Sequence, residues 1–291
     1  MNTNVLVALK NLLESRNNKL LEIYGGSNRA NNMGDALEYY IKDLFCNSLD
    51  EQDFDKKDRI YSEYLSYSGA KNNPPDFIVK KHIAVEVKKI QGLGFGNIAL
   101  NSSYPKDYIY SNSKLITEAC RTCEDEFGGW DKKDIVYAIG NIDSKQNKLK
   151  VLWLLYGNTY CADQQTYLRY KEVIKEGIEE ISGVDFSETN ELGKIHNVDP
   201  LKITELRIRG MWSIKHPMKV FSYLTKDYFK DDNFRAYVLM LKSDFNKIDD
   251  KYKEELNKYI DSGLLSMENV EIKNPNNPVK YVDAILYKTS F

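Results

Sequence analysis

The sequence predicts an α/β protein of the α+β kind: a mixed sheet flanked by helices, with a polar site at one sheet edge and further α/β elements toward the C-terminus. Three observations lead there. The elements readable between residues 30 and 160 follow the order helix, hairpin, helix, strand, strand. From Ile83 to Lys88 the residues alternate, with Ile83, Val85 and Val87 on one face and Ala84, Glu86 and Lys88 on the other, the pattern of a strand with one face buried. Hydrophobic residues make up 42% of the 291 positions, ample for a sizeable core.

In chain order, Val5, Ala8, Leu9, Leu12 and Leu13 form a helical stripe within residues 3–23, broken at Ser15-Arg16-Asn17-Asn18. Gly25 to Asn32 is a polar loop, and Asn32 can cap a helix whose apolar face is Leu37, Tyr40, Ile41 and Leu44. Residues 51–68 are compatible with either helix or strand. A helix is expected from Ser113 to the Gly128-Gly129 pair, then strands Ile135–Ile142 and Leu149–Tyr156 around a polar turn. Tyr167, Tyr170, Ile174 and Ile178 mark an amphipathic helix, and residues 227–291 alternate strands such as Phe234–Leu241 with a charged helix, Asp244–Ile260. The whole chain, 1–291, reads as one domain, with a core at about 30–160 and recognition and scaffold elements at about 161–291.

Composition excludes several classes. The formal charge of -2 argues against a protein that coats nucleic acid without specificity, so any polyanion site must come from local segregation of the 41 basic residues. The four cysteines are too scattered for a disulfide framework, and Cys120-Arg121-Thr122-Cys123 lacks the second pair a zinc site needs. No run of about eighteen apolar residues and no basic leader occur, so the chain is read as cytoplasmic, with no membrane partner. Gln91 to Asn97 is glycine-rich, but no Gly-Lys-Ser/Thr follows, so nucleotide hydrolysis is not indicated.

Asp76 opens the short apolar segment Phe77–Val79, and Lys80-Lys81-His82 can turn the chain back so that Asp76 comes beside Glu86. Hard cations such as Mg²⁺ take oxygen ligands and keep several waters, so Asp76 and Glu86 suffice as protein ligands when a substrate phosphate supplies the rest. Lys88, on the same face as Glu86, is placed to stabilise charge building on that phosphate or to orient a water. The same residues also read as a turn followed by a solvated strand face with a surface ion pair.

Pro75-Asp76, nine residues, then Glu86-Val87-Lys88 resembles the signature of the PD-(D/E)xK nucleases. Longer blocks resemble the NgoPII family of type II restriction endonucleases: Gly34 to Phe45, the stretch around Asp76 and Glu86, Leu100 to Lys106, and Leu206 to Trp212. The resemblance implies a PD-(D/E)xK core, Mg²⁺-dependent hydrolysis of double-stranded DNA at GGCC, a bacterial cytoplasmic setting and a cognate DNA methyltransferase. It also implies that Glu38, on the first core helix, assists the metal centre.

Asn101, Ser102, Ser103, Tyr104 and Lys106 form a donor-rich segment suited to clamping a DNA backbone close to the scissile phosphate, although an ordinary turn has the same composition. Arg207 and Arg209 share one face of a period-two segment and are placed to read guanines, with Lys215 and His216 beside phosphates. An exposed, ion-paired face fits those two arginines equally. Gly193-Lys194-Ile195-His196-Asn197 is expected as a second loop at the groove. A palindromic target is matched by a two-fold reader, hence a homodimer. The alternatives are a structure-selective nuclease of the same superfamily, or a DNA-binding protein without catalysis.

Overall fold

The computed structural model describes residues 3–20, 29–70, 72–143, 145–180, 192–196, 198–226, 228 and 231–291. The chain up to Tyr110 holds α1 (Val5–Ser15), α2 (Arg29–Cys46), α3 (Phe54–Tyr64) and the strands β1 (Leu65–Tyr67), β2 (Phe77–Val79), β3 (Ala84–Gln91), β4 (Ile98–Asn101) and β5 (Tyr108–Tyr110). Next come α4 (Glu118–Thr122), β6 (Lys132–Asp143), β7 (Lys148–Tyr156), α5 (Gln164–Glu179), β8 (Gly193–Ile195), β9 (Leu206–Ile208) and β10 (Trp212–Ile214). The chain ends with α6 (Pro217–Val220), β11 (Arg235–Leu241), α7 (Lys242–Lys247), α8 (Asp250–Asp261), β12 (Leu265–Asn274) and β13 (Asn277–Ser290).

Among the described residues the central sheet runs β1-β2-β3-β6-β7-β11-β13-β12, with β5 paired beside β6. It is mixed, since β3–β6 and β7–β11 are parallel while β2–β3, β6–β7, β11–β13 and β12–β13 are antiparallel. Parallel pairs are normally buried on both faces. Here β6 and β7 are buried along nearly their whole length, as that rule requires. One face packs Val85, Val136 and Leu154 against Leu9, Leu37, Ile41 and Leu256 from α1, α2 and α8. The other packs Ala84, Tyr137, Ile139 and Trp153 against Ile98, Ile109, Met218 and Phe221. β3 and its two catalytic candidates therefore lie two strands in from the β1 edge, between these layers.

Local chemistry moves several predicted boundaries. Asn4 caps α1 by accepting the Leu6 and Val7 amides, and Arg16, in the left-handed conformation, ends the helix well before residue 23. α2 begins at Arg29, so Asn32 lies inside the helix and is not its cap; residues 21–28 of the expected polar loop lie outside the described residues. The undecided span 51–68 is both structures in turn: α3, capped by Asp53, runs directly into β1. The helix expected from Ser113 starts only at Glu118, because Thr117 caps it and the Leu115 carbonyl is taken by the Asn73 amide at 2.9 Å. Asp244–Ile260 is two helices, separated where Ile248 is extended and Asp249 caps α8. Gly193–Ile195 is strand β8 and not a loop; Asn197 lies outside the described residues. α5 is present, yet Tyr170 and Ile174 of its apolar stripe are exposed and Ile178 is buried.

α2 is fixed to α3 by a buried charge cluster. The Asp43 carboxylate accepts the Lys57 ammonium, the Ser48 hydroxyl at 2.6 Å and the Tyr61 hydroxyl at 2.6 Å, with Lys57 wholly buried. Removing one partner of such a pair leaves the other charge stranded in the interior. Lys57→Ala is therefore expected to lower the free energy of denaturant unfolding by about 3–5 kcal/mol; a loss below about 1 kcal/mol would show that Asp43 is satisfied without it.

Candidate active site

The β2–β3 hairpin sets the geometry. Phe77 pairs with Val85 and Ile78 with Ala84, so one further step places Asp76 opposite Glu86. β2 stops there, since Pro75 cannot donate to a ladder. The Asp76 amide donates to the Val85 carbonyl at 3.0 Å, and its carboxylate Oδ2 accepts the Val87 amide at 2.6 Å. Asp76 thus extends the edge of β3 with a side chain in place of a strand. Glu86 Oε1 accepts the Lys88 ammonium at 2.5 Å, on the sheet face opposite Val85 and Val87. The predicted convergence of Asp76, Glu86 and Lys88 is present in the structure. Lys89 lies on the α2 side of the strand, where burial lowers its pKa and Asp35 partly offsets that.

Electrostatically the pair of carboxylates is crowded. Burial first, and the neighbouring Glu86 second, push the Asp76 carboxyl up to about 8. Burial would lower the Lys88 ammonium, but Glu86 and Asp76 outweigh it and raise its pKa, so Lys88 stays charged. Glu86 is buried, and its second oxygen, Oε2, has no hydrogen-bond partner. A buried orphaned carboxylate oxygen facing a second carboxylate suits a hard cation, which takes oxygen ligands and fills its remaining positions with water and phosphate. Among the described residues no set of three or more His, Cys, Asp or Glu side chains gathers as a protein-only cage, so the fit is of the two-carboxylate kind.

Glu38 reaches this centre from α2. It pairs with Lys42 at 2.7 Å, and its charge acts on both Asp76 and Lys88. Lys42 also donates to the Ser68 carbonyl at 3.0 Å. Two positioning residues escaped the sequence reading. Gly69 has φ +94°, and a Cβ there would stand 2.3 Å from the Asp76 carbonyl oxygen, so only glycine lets the chain leaving β1 pass the Asp76 backbone. The only sequence signal was a Ser-Gly-Ala turn. Glu124 accepts the Lys81 amide at 2.7 Å and pairs with Lys133 at 2.8 Å, while Lys133 donates to the His82 carbonyl at 3.1 Å, which pins the turn between the two carboxylates.

The donor-rich segment follows β4, with Asn101 and Ser102 exposed, Ser103 and Tyr104 half-buried and Lys106 buried. β10 pairs antiparallel with β4, Trp212 opposite Asn101, so the chain leaving the arginine strand is bonded to this segment. Tyr104 stacks on Tyr167 at 6.0 Å, and Tyr167 meets Trp212 edge-on at 5.6 Å. Arg207 and Arg209 are exposed at the end of the separate β8–β9 ribbon, and Lys215 is exposed just after β10.

His216 does not hold a phosphate. It is wholly buried, its Nδ1 accepts the Met218 amide at 3.1 Å and its Nε2 donates to Asn141 Oδ1 at 2.9 Å. Asn141 in turn donates to the Gly92 and Gly94 carbonyls at 3.2 and 3.1 Å. One buried amide on β6 therefore ties the loop leaving β3 to the end of the arm that carries β10.

Comparison with known proteins now gives the class: the chain is a type II restriction endonuclease, a site-specific deoxyribonuclease. More narrowly, it belongs to the NgoPII restriction endonuclease family, whose family model matches residues 3–273. It is 40% identical over 288 residues to the type II restriction enzyme NgoPII of Neisseria gonorrhoeae, covering 97% of this chain and 98% of that protein. No solved structure matches it. No helix among the described residues is long and apolar enough to cross a membrane.

Two outcomes test this geometry. Gly69→Ala should displace Asp76 and slow cleavage of bound DNA by about 10²-fold, the scale of an ångström-size misplacement; an unchanged single-turnover rate would release Gly69 from that role. Burial lowers the His216 imidazole from an ordinary value near 6.5 to about 4. The unfolded chain thus takes up the proton first. Stability from this group is complete above pH 6.5 and falls as pH drops toward 4, by at most about 3 kcal/mol. His216→Asn keeps an acceptor at the helix cap and should flatten that stretch of the unfolding free energy against pH; an unaltered slope would assign it to other groups.

Proposed function

We propose that the protein cuts both strands of duplex DNA at a short palindrome, GGCC, with Mg²⁺ as its ion, through a PD-(D/E)xK centre built from Asp76, Glu86 and Lys88. The observation that carries this reading is the Asp76–Glu86 convergence with Glu86 Oε2 left unpartnered beside Lys88. Asp76 and Glu86 would hold the ion, and Glu38 would add charge from α2. When bound, a divalent ion supplies Lewis-acid polarisation of the phosphate and eases loss of a proton from water. The chain does the rest. The Val87 amide orients the Asp76 carboxylate, Glu86 keeps the Lys88 ammonium on the reacting side of β3, and that ammonium offsets charge growing on the phosphate oxygens.

Recognition is assigned to the polar segment and the arm. Asn101, Ser102, Ser103 and Tyr104 would contact the backbone, Lys215 a phosphate, and Arg207 and Arg209 the guanine edges in the major groove. The bonding of β10 to β4 supports this, because it joins the arm to the segment that follows the catalytic strand. Continuation of the Glu86-bearing sheet into β11, β13 and β12 supports reading the whole chain as one endonuclease domain. A homodimer matches the symmetry of a palindrome, giving each strand its own centre. A cognate methyltransferase would shield the host sequence.

Lys88→Ala should abolish cleavage in Mg²⁺ yet leave specific binding in Ca²⁺ within about threefold, since the residue acts on the reaction and not on the bases. Full activity in that variant would remove Lys88 from the centre. Arg209→Ala should cost about 1–3 kcal/mol of discrimination at one guanine, measured by competition between cognate and single-mismatch duplexes. Equal weakening on every duplex would make Arg209 a phosphate contact.

A further inference from the structure

Five lysines are buried among the described residues: Lys42, Lys57, Lys106, Lys133 and Lys150. Four of them have a carboxylate partner, respectively Glu38, Asp43, Glu124 and Asp232 for Lys42, Lys57, Lys133 and Lys150. Lys106 has none. At 4% exposure, its ammonium donates only to neutral oxygens, the Ser103 hydroxyl and the Tyr104 carbonyl, the latter at 3.1 Å. An interior cation without a counter-charge is among the costliest arrangements a fold can hold, and it persists where a ligand brings the missing charge.

Its position indicates which ligand. The Lys106 amide donates to the Tyr137 hydroxyl at 2.9 Å, and Tyr137 is the partner of Glu86 in the parallel β3–β6 ladder. Lys106 is therefore one tyrosine away from Glu86. The segment packs closely on Gly157, where a Cβ would lie 2.3 Å from the Lys106 carbonyl oxygen, so glycine leaves the room it needs. Burial pulls the ammonium down to about 8, with Glu86 opposing and Lys88 adding to the fall, so both catalytic charges are felt at Lys106. Lys88 differs in one respect. Its charge is already matched by Glu86 at 2.5 Å, whereas that of Lys106 is not matched by any carboxylate among the described residues.

We propose that Lys106 is a second lysine of the reaction centre, whose ammonium takes a non-bridging oxygen of the scissile phosphate seated against Asp76, Glu86 and Lys88. This rests on reading that trio as the cutting centre. It narrows Lys106 from a contact to the DNA backbone to the phosphate that reacts, and it explains why the cation is buried without a counter-charge: the substrate supplies one.

The test uses the full chain with Lys106→Met, which keeps length and removes charge, and Lys106→Gln as a second variant should the first not fold. Three quantities are read: thermal unfolding, the salt dependence of duplex binding in Ca²⁺, and single-turnover cleavage in Mg²⁺ with all DNA bound. The expected result is unfolding no earlier than in the parent, a slope of log K against log salt smaller by about one, and cleavage slower by about 10²-fold or more. Cleavage within about threefold of the parent, or a loss that only tracks a lowered unfolding temperature, would overturn the proposal. If the parent itself cuts no duplex, the reading of the trio fails separately. An unchanged salt slope would then also dismiss Lys106 as a phosphate ligand, and a reduced one would retain it.

Discussion

Asp76 and Glu86 face each other one rung beyond a hydrogen-bonded hairpin, and the surrounding structure has to hold them there against their mutual repulsion. Like charges directly opposite on adjacent strands oppose pairing. The hairpin resists through the Val87 amide on Asp76, the Lys88 ammonium on Glu86, and the Glu124–Lys133 pair clasping the turn at Lys81 and His82. Gly69 leaves room for the Asp76 backbone, and Ile83, Val85 and Val79 anchor the other face in the core under α1 and α2. The cost of burying the two carboxylates side by side shows in the Asp76 pKa, raised first by burial and then by Glu86, and in the unsatisfied Glu86 oxygen. Both would be relieved by a cation between them.

Side-chain and strand contacts join the central sheet to the arm that carries β10. β3 leaves the site into a glycine-rich loop whose carbonyls are held by Asn141, and Asn141 also holds His216 at the foot of the arm. Phe95, from that loop, packs on the His216 ring at 4.9 Å. β4 then receives β10, so the arm bearing Arg207 and Arg209 is bonded to the segment leading to Ser103 and Lys106.

The parts legible in the sequence were those governed by short range. The period-two alternation gave the faces of β3, the turn chemistry gave the hairpin, and both placed Asp76, Glu86 and Lys88 correctly. Boundaries failed where a distant group decided them: the Asn73 side chain takes the Leu115 carbonyl and delays α4, and a 42-residue separation hides that from any local window. Lys106 read as a contact to the DNA backbone from its polar neighbours, and only the fold shows it buried, with its amide on the Tyr137 hydroxyl and its carbonyl close against Gly157. His216 read as a phosphate ligand for the same reason, yet its partner Asn141 lies 75 residues away. The need for glycine at position 69 comes from the backbone of Asp76 and has no local signature.

The measurement that bears most directly on the account is digestion of unmethylated plasmid by the purified protein in Mg²⁺, with a chelator control, followed by sequencing of the fragment ends. The account predicts discrete fragments that all end at one palindrome, GGCC, and no cutting when the ion is sequestered. Cleavage that persists in chelator, or ends scattered over unrelated sequences, would contradict the assignment of Asp76, Glu86 and Lys88 to a metal-dependent, sequence-specific cutting centre.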